Sequence, residues 1–182
     1  IRLSLVGSEM CIRDRADVVL DMHSGGRTLD LLPFAATHRL ADEAFGARCL
    51  AGAEAFGAPY TLFMAELEEA ALFDSVVEAQ GRVFISTELR GGGTTTPDTV
   101  ALAEQGVDNV LRFAGILPGD PLPVSSQALE IPSADYYRVS EHPGLLEFAV
   151  ALGDWVQQGE VLARVYSLCL LYTSDAADDS GC

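Results

Sequence analysis

The 182-residue chain contains no lysine; its eleven basic side chains are all arginines, set against 27 acidic ones for a formal net charge of −16. Without a lysine amine there is no attachment point for biotin, lipoate or pyridoxal phosphate, and no Schiff-base chemistry. So negative a balance, with no basic stripe, repels nucleic acid and anionic lipid, and neither is expected as a partner. No apolar run reaches the length of about 18 residues that a membrane span needs. Cysteine is scarce as well. Cys11, Cys169 and Cys182 lie near the ends, which leaves Cys49 alone in the body of the chain. A lone cysteine builds neither a disulfide framework nor a thiolate metal site. Its setting, LADEAFGARCLAGAEAFG, is that of a small buried helix residue, and a reducing cytoplasm fits it.

What is present suffices for a core: 49% of residues are hydrophobic, enough for one medium domain or a domain plus a small module. No Met begins the chain, and it reads as a fragment. Residues 1–15 (IRLSLVGSEMCIRDR) and 167–182 (SLCLLYTSDAADDSGC) resemble translated adapter sequence more than the regions they flank, and both are read as artefactual tails. The first segment mixes charges into its apolar run and has no small-residue cleavage site, so it is not a signal peptide.

Between the tails, α/β alternation dominates. DVVLDM (17–22) reads as a buried strand that delivers His23 and then Ser-Gly-Gly at its carboxyl end. A helical pattern runs from Leu40 to Phe56 and stops at Gly57. Pro59–Met64 is strand-like, Ala70–Gln80 helical up to Gly81, and RVFIST (82–87) a strand ending in Glu88. The clearest helix follows, with Thr96 as cap, Pro97 in its first turn and apolar residues from Val100 to Ala114 at helical spacing before Gly115. This alternation predicts a mostly parallel sheet with helices over residues 16–117. Residues 118–126 (PGDPLPVSS) form a Pro-, Gly- and Ser-rich linker. Beyond them, ALEIP, DYYRVS, LLEFAVAL and EVLARVY, separated by turn signals such as PSAD and EHPG, suit a small all-β module over 127–166.

Ligands of open α/β sheets bind at the carboxyl ends of strands. Two such ends carry polar groups. His23, with Asp21 two residues earlier, is either a metal ligand oriented by a carboxylate or a satisfied interior histidine. Glu88, ahead of Leu89-Arg90-Gly91-Gly92-Gly93, is either a general base with room for a substrate at the glycine run or an ordinary solvated turn residue. The glycines are weak as a phosphate loop, since no lysine follows and dinucleotide spacing is absent. Arg27 and Arg39 are the nearest cations to the first strand end; Arg27 is the candidate to meet a substrate carboxylate, against surface solvation. Tyr60 is a core aromatic or a substrate contact.

Taken together, VVLDMHSGGRTLDLLPFAATHRL, FGAPYTLFM, VFISTELRGGGTTTPDT and GVDNVLRFAGIL resemble the succinylglutamate desuccinylase/aspartoacylase family, nearest its N-acetyl-diaminobutyrate deacetylase branch of ectoine breakdown. The resemblance runs over residues 17–166. It implies a zinc-dependent amidohydrolase with a carboxypeptidase-like α/β domain and a small β domain, acting on an N-acyl amino acid. It implies further that His23 is one of three zinc ligands, Asp21 its supporting carboxylate and Glu88 the catalytic carboxylate. The other two ligands belong to an H-x-x-E motif, and neither His38 nor His142 begins one. Two of three zinc ligands are thus missing, and the chain is expected to be inactive alone. Arg90 stands where the resemblance implies Gly.

The last segment, LLEFAVALGDWVQQGEVLARVY, resembles a biotinyl/lipoyl-like barrel-sandwich, with Trp155 as its core or contact anchor. Lacking lysine, it would serve structurally. The surplus of negative charge suits a substrate or product that carries an amine. Two further readings are a non-catalytic binding module and a different metal hydrolase recruiting His38 or His142, for which those side chains must converge on His23. A truncated sheet would expose an edge, so homo-oligomerisation is also expected.

Overall fold

The computed structural model describes residues 15–64, 73–131 and 136–167. Residues 1–14 and 168–182, with Cys11, Cys169 and Cys182, the PSAD signal and the start of the expected Ala70–Gln80 helix lie outside the described residues. The chain forms two compact units, Ile1–Ala134 and Asp135–Cys182.

The first unit is a mixed α/β layer around five strands: β1 (Val18–His23), β2 (Phe34–His38), β3 (Tyr60–Met64), β4 (Val83–Glu88) and β5 (Gln127–Ile131), in the order β1-β4-β2-β3-β5. Three pairings are parallel, β1 with β4, β2 with β3 and β3 with β5, and β2 with β4 is antiparallel. The sheet is therefore mostly parallel, with one reversal in the middle.

Helix α1 (Glu43–Phe56) starts where Asp42 accepts from the amides of Ala44 and Phe45, both at 3.0 Å, and stops at Gly57, whose φ of 81° is left-handed. Its inner face is deliberately small. A Cβ placed on Gly52 would lie 3.0 Å from Ile85 Cδ1 and 3.1 Å from Val83 Cγ1, so the helix lies directly on β4. Cys49, Ala53, Phe56, Val83, Ile85 and Val110 form the core there. Cys49 is fully buried, as its setting predicts, and burial raises its thiol pKa and keeps it unreactive. Helix α3 (Pro97–Phe113) begins with a reciprocal capping box between Thr96 and Thr99. On the opposite face of the sheet, the short helix α2 (Phe73–Glu78) packs through Phe73, whose ring meets Phe84 edge-on at 5.6 Å.

Two strands depart from the sequence expectation. β2 was not anticipated, because FAATH is short and polar at its end and follows Pro33. β5, expected in the small β module, joins the large sheet. The buried Asn109 explains this: its side chain bonds both the amide (2.8 Å) and the carbonyl (3.3 Å) of Leu122, pinning the linker against α3. Ser126 then meets Thr61 at 2.8 Å, and Gln127 falls into register with Tyr60.

The second unit contains, among the described residues, one antiparallel pair, β6 (Leu145–Phe148) and β7 (Ala163–Tyr166). Tyr166 Oη donates to Glu147 Oε2 at 2.6 Å. Trp155, expected as a core or contact anchor, is 92% exposed.

Candidate active site

Parallel pairing of β1 with β4 ends on the register pair His23↔Glu88. Side chains of paired residues share a face, so an imidazole and a carboxylate emerge together at the carboxyl ends of adjacent strands. Asp21, two residues before His23, lies on the same face, with Oδ1 3.2 Å from His23 Nδ1. Phe84 and Ser86 alternate with Glu88 along β4. The backbone holds this end rigidly: His23 N–H donates to Thr87 Oγ1 (3.3 Å), and Leu89 N–H to the His23 carbonyl (2.9 Å).

The loops that follow the two strands are stitched to each other. Gly25 N–H donates to the Arg90 carbonyl (2.7 Å), Gly92 N–H to the Leu29 carbonyl (2.8 Å) and Gly93 N–H to the Gly26 carbonyl (2.8 Å). A Cβ at Gly25 would approach Leu29 O to 2.5 Å, and one at Gly91 to 2.0 Å. Gly25 therefore makes room for the turn of its own loop at Leu29, and Gly91 for the neighbouring loop. Between them Arg90 is held at φ 65°, the left-handed region, and its guanidinium reaches Asp30 at 3.0 Å.

Glu88 is half-buried, and its Oε2 is buried with no hydrogen-bond partner. Burial raises its carboxyl pKa above the ordinary value; His23 opposes the rise and Asp21 adds to it. A carboxylate tuned upward, with one unsatisfied oxygen beside an imidazole, is equipped to take a proton. It borders a cavity of about 290 Å³ lined by Asp21, His23, Phe73, Asp74, Ser86 and Glu88. A second cavity, of about 320 Å³, lies toward α3, with His23, Met22, Leu89, Val100 and Ala103 in its wall. His23, whose side chain is 59% exposed, stands between the two.

The other sequence candidates are not among the residues lining these two cavities. His38, 7% exposed on β2, does not converge on His23: its Nδ1 is 2.8 Å from Glu78 Oε2 and its Nε2 3.6 Å from Asp74 Oδ2. His142 belongs to the second unit, in a local turn with Ser140. Arg27 is exposed in the loop after β1 and lines neither cavity beside His23. Arg39 lies over Phe63 at 4.6 Å and bonds Glu130 at 2.9 Å. Tyr60, half-buried, opens β3. Asp74 and Ser86 line the cavity without having been singled out. Ser86 was within reach, since it alternates with Glu88 on one strand; Asp74 comes from another element and had no local signal.

Among the described residues no three His, Cys, Asp or Glu side chains converge so as to hold a metal. One imidazole and its neighbouring carboxylates do not by themselves make up the zinc site that the resemblance implies.

The family model of the succinylglutamate desuccinylase/aspartoacylase catalytic domain matches residues 6–114. The N-alpha-acetyl-L-2,4-diaminobutyric acid deacetylase of Halomonas elongata is 55% identical over 155 residues, 84% of this chain and 45% of its own. A succinylglutamate desuccinylase from Silicibacter sp. TM1040 superposes with a TM-score of 0.79 at 42% identity, over 86% of this chain and 49% of that one. The product-bound ectoine utilization protein EutE (DoeB) of Ruegeria pomeroyi gives 0.80 at 42%, over 87% and 50%. The chain thus spans about half the length of these relatives. With the matched segment carrying both His23 and Glu88, the chain belongs to the succinylglutamate desuccinylase/aspartoacylase family.

Proposed function

We propose that this chain carries the histidine–carboxylate part of an amide hydrolase site that removes an acyl group from an N-acyl amino acid, N-acetyl-diaminobutyrate being the first substrate to try. The observation that carries the reading is the register pair His23↔Glu88, with Asp21 behind the imidazole and Glu88 Oε2 buried without a partner. Glu88 takes a proton from the attacking water and returns it to the departing amine. Asp21 at Nδ1 fixes the tautomer of His23 and leaves Nε2 as the nitrogen facing outward. Zinc, with His23 as one donor, belongs to this reading; a bound zinc supplies a water of lowered pKa and polarises a carbonyl. A cytoplasmic setting and inactivity of the 182-residue chain by itself are part of the same proposal.

The test is a chimera in which residues 16–166 replace the matching segment of the Halomonas deacetylase. It is expected to release acetate from N-acetyl-diaminobutyrate, and Glu88→Gln to lower kcat by about 10²-fold or more. A base whose pKa is raised is lost as pH falls, so kcat/KM should decline on the acid side at a pH above that of an ordinary carboxylate. Full activity in the Glu88→Gln chimera would remove Glu88 from the chemistry.

A further inference from the structure

We infer that His38 is a positioning residue for the cavity beside Glu88: as an imidazolium it grips Asp74 and Glu78, one turn apart on α2, and so holds the α2 side of that cavity in place. The grip is independent of any reaction; its kinetic consequence rests on the amide-hydrolase reading above.

Asp74 and Glu78 stand four residues apart, which puts both carboxylates on one face of α2. Like charges at that spacing weaken a helix, and a cation between them reverses the effect. His38, buried at the end of β2, takes that place with one carboxylate at each ring nitrogen. Glu78 Oε2 is 2.8 Å from Nδ1, and Asp74 Oδ2 is 3.6 Å from Nε2. Glu78 is itself buried, and its Oε1 has no hydrogen-bond partner among the described residues. The other neighbours of the ring are uncharged or engaged elsewhere: Met64 is paired with His38 across β2 and β3, and Arg39 is taken up by Phe63 and Glu130. Asp21, His23 and Glu88 share the cavity wall with Asp74.

A neutral imidazole has one N–H and one lone pair. It keeps the Glu78 contact only by turning the lone pair on Asp74, whereas the imidazolium presents a donor to each carboxylate. Loss of the proton therefore leaves a buried carboxylate uncompensated. Asp74 is the contact that gives way, being the longer of the two and the more exposed, at 16% against 6%. It borders the cavity beside Glu88 together with Phe73, whose ring meets Phe84. A side chain that does not line the cavity thus places two that do. The α2 wall is held below the pH at which His38 loses its proton and loosens above it, the opposite sense to the acid-side loss expected at Glu88.

The test is a pH titration of the 182-residue chain followed by NMR, reading the His38 ring and the backbone amides of Asp74, Ser75 and Glu78. The amides should move with one midpoint that coincides with that of the ring. In His38→Gln, whose side chain has one donor and one acceptor group as the neutral ring does, they should stand near their wild-type high-pH positions and lose that midpoint. Asp74→Asn, which leaves the buried ring in place, should shift the His38 midpoint to lower pH. If His38→Gln does not fold, the wild-type titration and Asp74→Asn decide. Amides that do not follow the ring, a midpoint that survives in His38→Gln, or a His38 midpoint unmoved in Asp74→Asn would overturn the inference. The reaction is judged separately. In the chimera, His38→Gln should raise KM about fivefold or more and change kcat far less. A shared midpoint in a chain whose chimera releases no acetate removes the hydrolase reading alone, whereas an active chimera with KM unchanged by His38→Gln removes the positioning role alone.

Discussion

Arg90 occupies a backbone position that suits glycine. Its φ of 65° costs a residue with a Cβ about 1–2 kcal/mol, and the half-exposed ion pair with Asp30 returns about 0–1 kcal/mol. Arg90→Gly regains the strain and loses the pair and some unfolded-state restriction, so we expect a gain of about 0.5–1 kcal/mol in a denaturant melt. A loss would show that the Asp30 contact outweighs the backbone. The sequence pointed to this position because the resemblance implies Gly there; the conformation supplies the reason. His23, Asp21 and Glu88 were equally legible, since each lies at or near the carboxyl end of an apolar run and alternation fixes which face it takes. Asp74 and His38 were not. Their proximity joins a strand to a helix on the far side of a long connection, and no periodicity encodes a contact of that kind.

Helices α1 and α3 lie on the same side of the sheet, and their contact depends on one missing side chain. Gly106, in the middle of α3, is buried, and a Cβ there would lie 2.3 Å from Phe56 Cε2, on a ring that is itself fully buried. Helix propensity alone favours alanine by about 1 kcal/mol. Overpacking of a closed contact costs about 1–3 kcal/mol. Gly106→Ala is therefore expected to destabilise by up to about 2 kcal/mol, while Gly46→Ala in α1, whose nearest neighbour would be 3.7 Å away, should stabilise by a few tenths to about 1 kcal/mol. Melts of the two variants in the same buffer decide it; equal effects would mean that propensity rules at both sites. The ends of the helices were readable from Thr96, Pro97 and Gly57, because caps are local chemistry; the Asp42 cap of α1 was not singled out. β2 and the destination of β5 were hidden for the opposite reason: Asn109 sets the path of the linker through a contact made only once α3 is in place.

With 27 acidic groups against 11 basic ones, the folded chain works against its own field. Compact states of high net charge are destabilised by self-repulsion, which salt screens over a Debye length of about 10 Å at 0.1 M. Raising sodium chloride from about 10 mM to about 300 mM should therefore increase Tm by about 2–5 °C. A Tm that falls would mean that attractive pairs such as Arg82 with Asp17 outweigh the repulsion. No helix among the described residues is long and apolar enough to cross a membrane. The stitched loops after β1 and β4 carry a different lesson, for anyone who would alter this scaffold. Because Gly25, Gly26 and Leu29 on one side and Arg90, Gly91, Gly92 and Gly93 on the other fill each other's hydrogen bonds and space, the two are exchangeable between relatives only as a matched pair. A graft that imports one loop without its counterpart leaves carbonyls without donors and shifts His23 against Glu88.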